Sequence, residues 1–222
     1  MFIISTLIFL YSVSLLIFFI FSLVQLNLLF NYLRKENKKN NHIKWDFNNI
    51  KEVPFVTIQL PIYNEFYVIE RLLNSVKKIQ YANEKIEIQI LDDSNDESSK
   101  LIKKIIKKIK SKGVNIHHLK RNNRDGYKAG ALKEGLKKAK GEFIVIFDSD
   151  FLPNKDFLIK TIPYFKDPKI GMVQTRWGYL NEDYSILTKT QAFALNAHFT
   201  LEQVGRNNKN HFINFNGTAG VW

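Results

Sequence analysis

Hydrophobic and polar positions divide the chain into an uncharged amino-terminal run and a longer region of alternating apolar patterns. Residues 2–30 carry no charge and are mostly Phe, Ile and Leu. This run is longer than the ~20 apolar residues that a bilayer-spanning helix needs. A secretory signal peptide is the alternative, but its apolar core is usually only ~7–15 residues long and follows basic residues. We therefore predict a transmembrane anchor over residues 1–33.

After residue 53 the apolar pattern changes repeatedly between the period of a strand and the period of a helix. Short β-type runs predict strands at 55–60, 86–91, 114–119, 143–147 and 171–177. Helical spacing predicts helices at 68–79, 101–109, 129–140, 155–165 and 184–206. Such alternation predicts an α/β fold, with a mostly parallel sheet and helices on both of its faces.

Polar residues at the predicted helix starts have the spacing of capping residues. Asn64 precedes the first of these helices and is expected to cap it. Ser94 and Glu97 have the spacing of a capping box at the start of the next. Capping alone would explain why these polar residues follow the strands.

Two carboxylates, Asp148 and Asp150, follow the apolar run at 143–147. Side chains two residues apart on an extended backbone point the same way, so both should face one site at the end of a buried strand. Carboxylate oxygens suit Mg²⁺ or Mn²⁺, which bridge them to the phosphates of a substrate. The alternative is an acidic turn without a metal, because Asp and Ser favour such loops.

A loop punctuated by glycine, residues 121–131, places Arg124 and Lys128 near the start of a predicted helix. Backbone N–H groups, the helix dipole and two cations together favour a pyrophosphate. The loop is neither Gly-x-Gly-x-x-Gly nor a Walker sequence, which argues against a dinucleotide dehydrogenase or a nucleoside triphosphatase.

The net charge of +12 lies entirely after residue 33 and favours anionic partners. Residues 34–53 are basic and predict a linker near the bilayer; because positive residues stay on the cytosolic side, the region after Arg34 should face the cytosol. The absence of cysteine agrees with that reducing compartment. The predicted helix at 101–109 has a lysine-rich face without interleaved aromatic residues, so nucleic acid is not an expected partner.

Six short motifs occur in order after residue 53. They are QLPIYNE at 59–65, LDDS at 91–94, RDGYKAGAL at 124–132, FDSD at 147–150, VQTRW at 173–177 and FNGTAGVW at 215–222. With these motifs the chain resembles processive-type family 2 glycosyltransferases of the cellulose synthase-like and glucomannan synthase-like branch. The resemblance covers residues 54–222, which we expect to form one glycosyltransferase domain.

The resemblance implies a GT-A fold, a nucleotide-sugar donor of the UDP-glucose or GDP-mannose type, inversion at the anomeric carbon and a metal that assists departure of the nucleotide diphosphate. It assigns the donor to Tyr63, Glu65, Asp92, Asp93, Arg124, Lys128 and Asp148. It assigns the metal to Asp148 and Asp150. It assigns a glycan or glycolipid acceptor to Trp177, Phe215, Asn216, Gly217 and Thr218.

The family's general base belongs to a motif that the resemblance places after Trp222, so no catalytic residue is identified and the domain is expected to be truncated. We predict an integral membrane hexosyltransferase of an inner, plasma or Golgi-type membrane, with a cytosolic catalytic domain and a growing polysaccharide or other glycan as acceptor. The alternatives are an inactive remnant that only binds nucleotide, and a membrane-tethered protein that binds anionic lipid or nucleic acid.

Overall fold

The computed structural model describes residues 2–34, 46–47, 49–111, 113–209 and 211–222. The chain forms two compact units. One combines Met1–Asn40 with Arg176–Asn214, and the other combines Asn41–Thr175 with Phe215–Trp222. Most of the predicted linker at 34–53 lies outside the described residues. The functional division into 1–33, 34–53 and 54–222 stays a prediction.

The second unit is built on a six-stranded sheet with the order β3-β2-β1-β4-β6-β5. The strands are β1 (Val56–Ile62), β2 (Ile86–Asp92), β3 (Ile116–Lys120), β4 (Phe143–Ile146), β5 (Val173–Gln174) and β6 (Gly220–Val221). The first four are parallel, whereas β6 pairs antiparallel with both β4 and β5. The predicted mostly parallel α/β fold is therefore confirmed. β5 is shorter than predicted, and the two-residue β6 was missed because it is too short for a periodic pattern.

Helices connect the parallel strands in the predicted order. They are α2 (Ile69–Val76), α3 (Ser98–Lys110), α4 (Tyr127–Leu136) and α5 (Phe157–Thr161), which continues as a 3₁₀-helix over Ile162–Lys166. The chain moves outward from β1 through β2 to β3, and then returns across the sheet to β4. Because parallel crossovers are right-handed, α2 and α3 cover one face and α4 covers the other.

The register of the sheet brings three strand ends to one edge. Ile62 of β1 is opposite Asp92 of β2, and Gln59 of β1 is opposite Ile146 of β4. The chain leaves β1 toward β2 but enters β4 from β3, so the order reverses between β1 and β4. Open α/β sheets bind ligands in the crevice at this kind of reversal.

The two predicted helix caps are wrong. α2 begins at Ile69 after Val68, and α3 begins at Ser98 after Glu97, so neither Asn64 nor Ser94 occupies a capping position. Asn64 instead has a φ of 58°, and its backbone N–H donates to Ser94 Oγ at 3.0 Å. The two polar residues therefore join the loops that follow β1 and β2, a long-range contact that local spacing does not reveal.

The first unit contains the apolar helix α1 (Phe2–Leu33), which is long and apolar enough to cross a membrane. It also contains α6 (Ile186–Ala197), a π-helix over His198–Gln203 and α7 (Val204–Asn207), which follow one another without interruption. Ser185 caps α6 through a reciprocal pair of hydrogen bonds with Thr188. Within this unit, Leu28 of α1 is buried and its carbonyl lies close to Gly205 of α7.

One face of α3 is exposed and lysine-rich, as the sequence predicts. Ile102, Ile106 and Ile109 are buried against the unit. The exposed side chains on the helix are Lys100, Lys103, Lys104, Lys107, Lys108 and Lys110. The expectation that this face does not serve nucleic acid stays a prediction.

Candidate active site

A cavity of about 360 Å³ opens at the carboxyl edge of the sheet, where the order of the strands reverses. The predicted donor and metal residues that line it are Tyr63, Glu65, Asp93, Arg124, Lys128, Asp148 and Asp150. They come from the loops after β1, β2 and β4 and from the start of α4. The structure thus brings together all the predicted donor and metal residues except Asp92.

Lys128, in the first turn of α4, has two oxygen partners. Its ammonium forms an ion pair with the Asp148 carboxylate and donates to the backbone carbonyl of Gly217 at 2.8 Å. The side chains of Lys128 and Asp148 are both partly exposed to the cavity. A partly exposed cation therefore stands beside Asp148, in the lining of the cavity.

The chemistry of Asp148 and Asp150 fits a divalent cation that is shared with a substrate. Both line the cavity, and Asp150 is exposed. Within the described part of the chain, no cluster of three or more His, Cys, Asp or Glu side chains is arranged to hold a metal. Mg²⁺ typically binds through one or two carboxylates and completes its shell with substrate phosphates and water. Two carboxylates in the lining of a cavity that also holds Lys128 match that pattern.

Arg124 lies between two aromatic rings. Its guanidinium carbon is 3.3 Å from the centroid of the Tyr63 ring and 5.0 Å from that of Tyr127. Among the described residues its Nε is one of few buried side-chain polar atoms without a hydrogen-bond partner. The stacking holds the guanidinium in the cavity wall, with its Nε N–H buried.

Arg121 is a site residue that sequence reasoning missed. It donates to both carboxylate oxygens of Asp93, through Nε at 2.8 Å and through a second nitrogen. The hydrogen bonds to Asp93 raise the pKa of Arg121. Arg121 also donates to the carbonyls of Asp125 and Tyr127, at 2.9 and 3.0 Å. The signal in the sequence that could have identified Arg121 is its position directly after a predicted strand, while the preceding predicted strand ends in an Asp-Asp pair.

The segment Phe215–Thr218 is held beside β4. Thr218 Oγ accepts from the Asp148 backbone N–H at 3.0 Å, and the Gln174 side chain donates to the Thr218 carbonyl at 3.0 Å. The Gln174 side-chain oxygen accepts from the Asn216 N–H at 3.1 Å. Two of the predicted acceptor residues, Gly217 and Thr218, therefore lie next to Asp148 or its partner Lys128. Trp177 belongs to the other compact unit, and its role stays a prediction.

The family model described as Glycosyl transferase family 2 matches residues 57–221, which include all of the sheet except the first residue of β1. The chain belongs to glycosyltransferase family 2.

Named relatives place this glycosyltransferase in the branch that the motifs indicated. It is 43% identical over 174 residues to glucomannan 4-beta-mannosyltransferase 9 of Arabidopsis thaliana, which covers 76% of this chain and 33% of the relative. It is 42% identical over 185 residues to glucomannan 4-beta-mannosyltransferase 1 of Cyamopsis tetragonoloba, covering 81% and 35%. The chain therefore spans about a third of the length of these relatives.

A solved structure supports the fold of the glycosyltransferase. The mannosyltransferase PcManGT from Pyrobaculum calidifontis, determined in complex with GDP-Man and Mn²⁺, has a TM-score of 0.61 and 23% identity. The similarity covers 88% of this chain and 52% of PcManGT. The predicted GT-A fold is confirmed.

Asp92 of the glycosyltransferase does not line the cavity. It is fully buried, and it accepts from Ser94 N at 2.9 Å and Ser99 Oγ at 2.5 Å, while His118 Nε2 lies 2.7 Å from it. Burial by itself raises the pKa of Asp92, but the hydrogen bonds from His118, Ser99 and Ser94 outweigh it and hold the pKa well below its usual range. Asp92 is thus positioned to support Asp93 and the loop after β2; its predicted contact with the donor stays a prediction.

A larger cavity, of about 840 Å³, lies along α4 and the end of β3. Asp93 is the only predicted site residue in its lining. The smaller cavity carries the combination of aromatic, cationic and acidic groups on which the functional argument depends.

Proposed function

We propose that this chain carries the donor-binding site of a membrane-anchored, inverting glycosyltransferase that moves a hexose from a nucleotide-sugar to a growing polysaccharide or other glycan. The observation that carries the proposal is the shared cavity, in which Lys128 and Arg124 face Asp148 and Asp150. A nucleotide diphosphate is a poor leaving group because negative charge develops on it. Cations placed beside the diphosphate stabilise that developing charge and so lower the activation free energy.

The donor we propose first is GDP-mannose, with UDP-glucose as the second candidate. The names of the relatives are those of glucomannan mannosyltransferases, and PcManGT was solved with GDP-Man. Arg124 covers one face of the Tyr63 ring, so the opposite face is the one on which we expect a nucleobase to stack. Because stacking tolerates any base, competition between GDP and UDP is the measurement that separates the two donors.

The metal we propose is Mn²⁺ or Mg²⁺, held by Asp148 and Asp150. When bound, it would neutralise charge on the two phosphates of the donor. Lys128 and Arg124 would contact the phosphates directly, Tyr63 would position the base and Asp93, oriented by Arg121, would bind the ribose or base. The proposal assigns no general base to a residue of this chain.

The experiment is a titration of the full chain, in lipid nanodiscs, with GDP and with UDP in the presence and absence of Mn²⁺. We expect nucleotide binding that needs Mn²⁺ and that Asp150→Asn weakens by at least about tenfold, because the cation loses one of its two carboxylates. Asp156→Asn is the matched control, since Asp156 pairs with Lys160 outside the cavity. Metal-independent binding, or equal losses in both variants, would refute the proposal.

Transfer of radiolabelled mannose from GDP-mannose to mannan oligosaccharides tests the reaction itself. A chain that binds GDP and Mn²⁺ without transfer would instead support the alternative of a nucleotide-binding remnant. The two outcomes separate donor binding from catalysis.

The orientation we propose places the region after Arg34 in the cytosol, with α1 in an inner, plasma or Golgi-type membrane. The chain has no cysteine, so single cysteines report accessibility without a background. The variants Lys51→Cys and Lys103→Cys are placed in sealed right-side-out vesicles, whose interior corresponds to the cytosol. Both cysteines should react with a membrane-impermeant maleimide only after the vesicles are opened. Labelling of both positions in intact vesicles would show that the proposed orientation is wrong.

A further inference from the structure

Lys128 joins two parts of the site that the sequence assigns to different substrates. Its ammonium contacts Asp148, a predicted ligand of the donor and metal, and donates to the carbonyl of Gly217, in the predicted acceptor segment. Along the chain, β5 lies between Asp148 and Gly217, so no local feature relates them. One cationic side chain therefore contacts both halves of the proposed reaction.

Other contacts of the Phe215–Thr218 segment lie on either side of Gly217. Thr218 and Asn216 are held through backbone and Gln174 hydrogen bonds. Gly217, between them, has a φ of 79°, a conformation that glycine adopts easily. Lys128 donates to the carbonyl of this residue, so loss of that hydrogen bond would free the most adaptable position of the segment.

We propose that Lys128 is a switch that couples binding of a nucleoside diphosphate and a divalent cation to the conformation of Phe215–Thr218. This inference rests on the proposed function. In the ligand-free protein, a divalent cation must compete with the Lys128 ammonium for Asp148, and two cations at one carboxylate repel each other. A diphosphate attracts the ammonium, which frees Asp148 for the metal.

The same movement removes the hydrogen-bond donor from the Gly217 carbonyl. Donor binding would therefore strengthen metal binding and rearrange the acceptor segment in one step. Because coupling between two ligands is reciprocal, the metal must strengthen binding of the diphosphate by the same factor. The acceptor segment would then adopt its binding conformation only after the donor site is filled.

The first test measures the Mn²⁺ affinity of the full chain in nanodiscs, by electron paramagnetic resonance of free Mn²⁺, with and without saturating GDP. GDP also binds Mn²⁺ in solution, but that contribution is equal for all variants and cancels when they are compared. We expect GDP to raise the apparent affinity of the wild type about tenfold or more beyond the solution effect, within the usual range of coupling.

Lys128→Met should bind Mn²⁺ alone more tightly than the wild type and should lose most of the GDP-dependent increase. Lys128→Arg should retain part of the coupling, which shows that the charge and not only the fold is responsible. Lys133→Met, on the same helix but exposed and outside the smaller cavity, is the matched control and should behave like the wild type.

The second test follows the segment itself. The Trp222 ring packs edge-on against the Phe215 ring, with centroids 5.0 Å apart. In protein labelled with 5-fluorotryptophan, Trp222→Phe identifies the resonance of Trp222. We expect that resonance to shift when GDP and Mn²⁺ are added together, and to lie near the shifted position already in ligand-free Lys128→Met.

The possible failures are distinguishable. If GDP and Mn²⁺ bind but Lys128→Met shows the same coupling as the wild type, or the Trp222 resonance does not respond, the switch is wrong and the proposed function stands. If neither GDP nor UDP binds the wild type with Mn²⁺, both the switch and the proposed function are wrong.

Discussion

Arg121 holds Asp93 through both carboxylate oxygens, and the pair is nearly buried, with 13% of the Arg121 side chain and 4% of the Asp93 side chain exposed. Asp93 follows β2 and Arg121 follows β3, so the ion pair joins the ends of two neighbouring strands. Because Arg121 also donates to Asp125 and Tyr127, it connects Asp93 to the turn that carries Arg124. One side chain thereby links two of the loops that line the smaller cavity.

Replacing Arg121 with Met should destabilise the protein by about 3–5 kcal/mol, because it leaves a buried carboxylate without its partner. Nucleotide affinity should fall as well, since Asp93 and the Arg124 turn lose their common support. Urea unfolding gives the stability, and GDP titration gives the affinity. The double variant Arg121→Met with Asp93→Asn should recover part of the stability, because the unpaired charge is removed.

A loss in the double variant equal to the sum of the two single losses would contradict the ion pair. Arg71→Met is a suitable control, since Arg71 is an exposed arginine on α2 that does not line either cavity. It should change neither stability nor affinity measurably.

We expect the Tyr63 ring to contribute to nucleotide binding by stacking on the nucleobase. Tyr63→Leu should weaken GDP binding about 5- to 100-fold, because stacking of a base on an aromatic ring contributes about 1–3 kcal/mol. Tyr63→Phe keeps the ring and should bind GDP nearly as well as the wild type. Equal affinities of the Leu and Phe variants, measured by calorimetry, would show that the base lies elsewhere.

Asp92 should make the stability of the protein depend on pH in the acid range. Its pKa is lower in the folded than in the unfolded state, so its stabilising contribution is complete above an unfolded pKa of about 3.9 and is lost as the pH falls below it. Asp92→Asn should therefore lose about 1–3 kcal/mol at neutral pH, and the difference from wild type should shrink toward pH 2.

The measurement is urea unfolding at several pH values between 2 and 7. Glu84→Gln, which changes an exposed carboxylate, should run parallel to the wild type throughout. A constant difference between Asp92→Asn and wild type across this range would mean that the lowered pKa of Asp92 does not contribute to folding.

Gly130 allows α4 to approach the loop that precedes it. A Cβ at this position would lie 1.9 Å from the Asp125 carbonyl oxygen and 2.7 Å from an Arg121 nitrogen. Gly130→Ala should therefore displace the turn and destabilise the protein by about 1–3 kcal/mol or more, with a parallel loss of GDP affinity. Gly171→Ala, where a Cβ meets open space, should leave both thermal stability and affinity unchanged.

Local patterns in the sequence were sufficient for the order of the elements and for the chemistry of the site. The alternation of apolar periods predicted the parallel strands, because strands such as β1 and β2 are buried on both faces and a helix such as α3 buries one. The carboxylates Asp148 and Asp150 were predicted from their position after such a strand, and both line the cavity. Lys128 and Arg124 were found from their place at the start of a helix, which is also a local property.

The tertiary structure alone decided how those groups are paired. Asp92 and Asp93 are adjacent in sequence, but one is buried behind the sheet edge and the other lines the cavity. Arg121 is 28 residues from Asp93, and Lys128 is 89 residues from Gly217. Such contacts depend on strand register and on which helix covers which face. Those are properties of the whole sheet, and the spacing of residues along one segment carries no information about them.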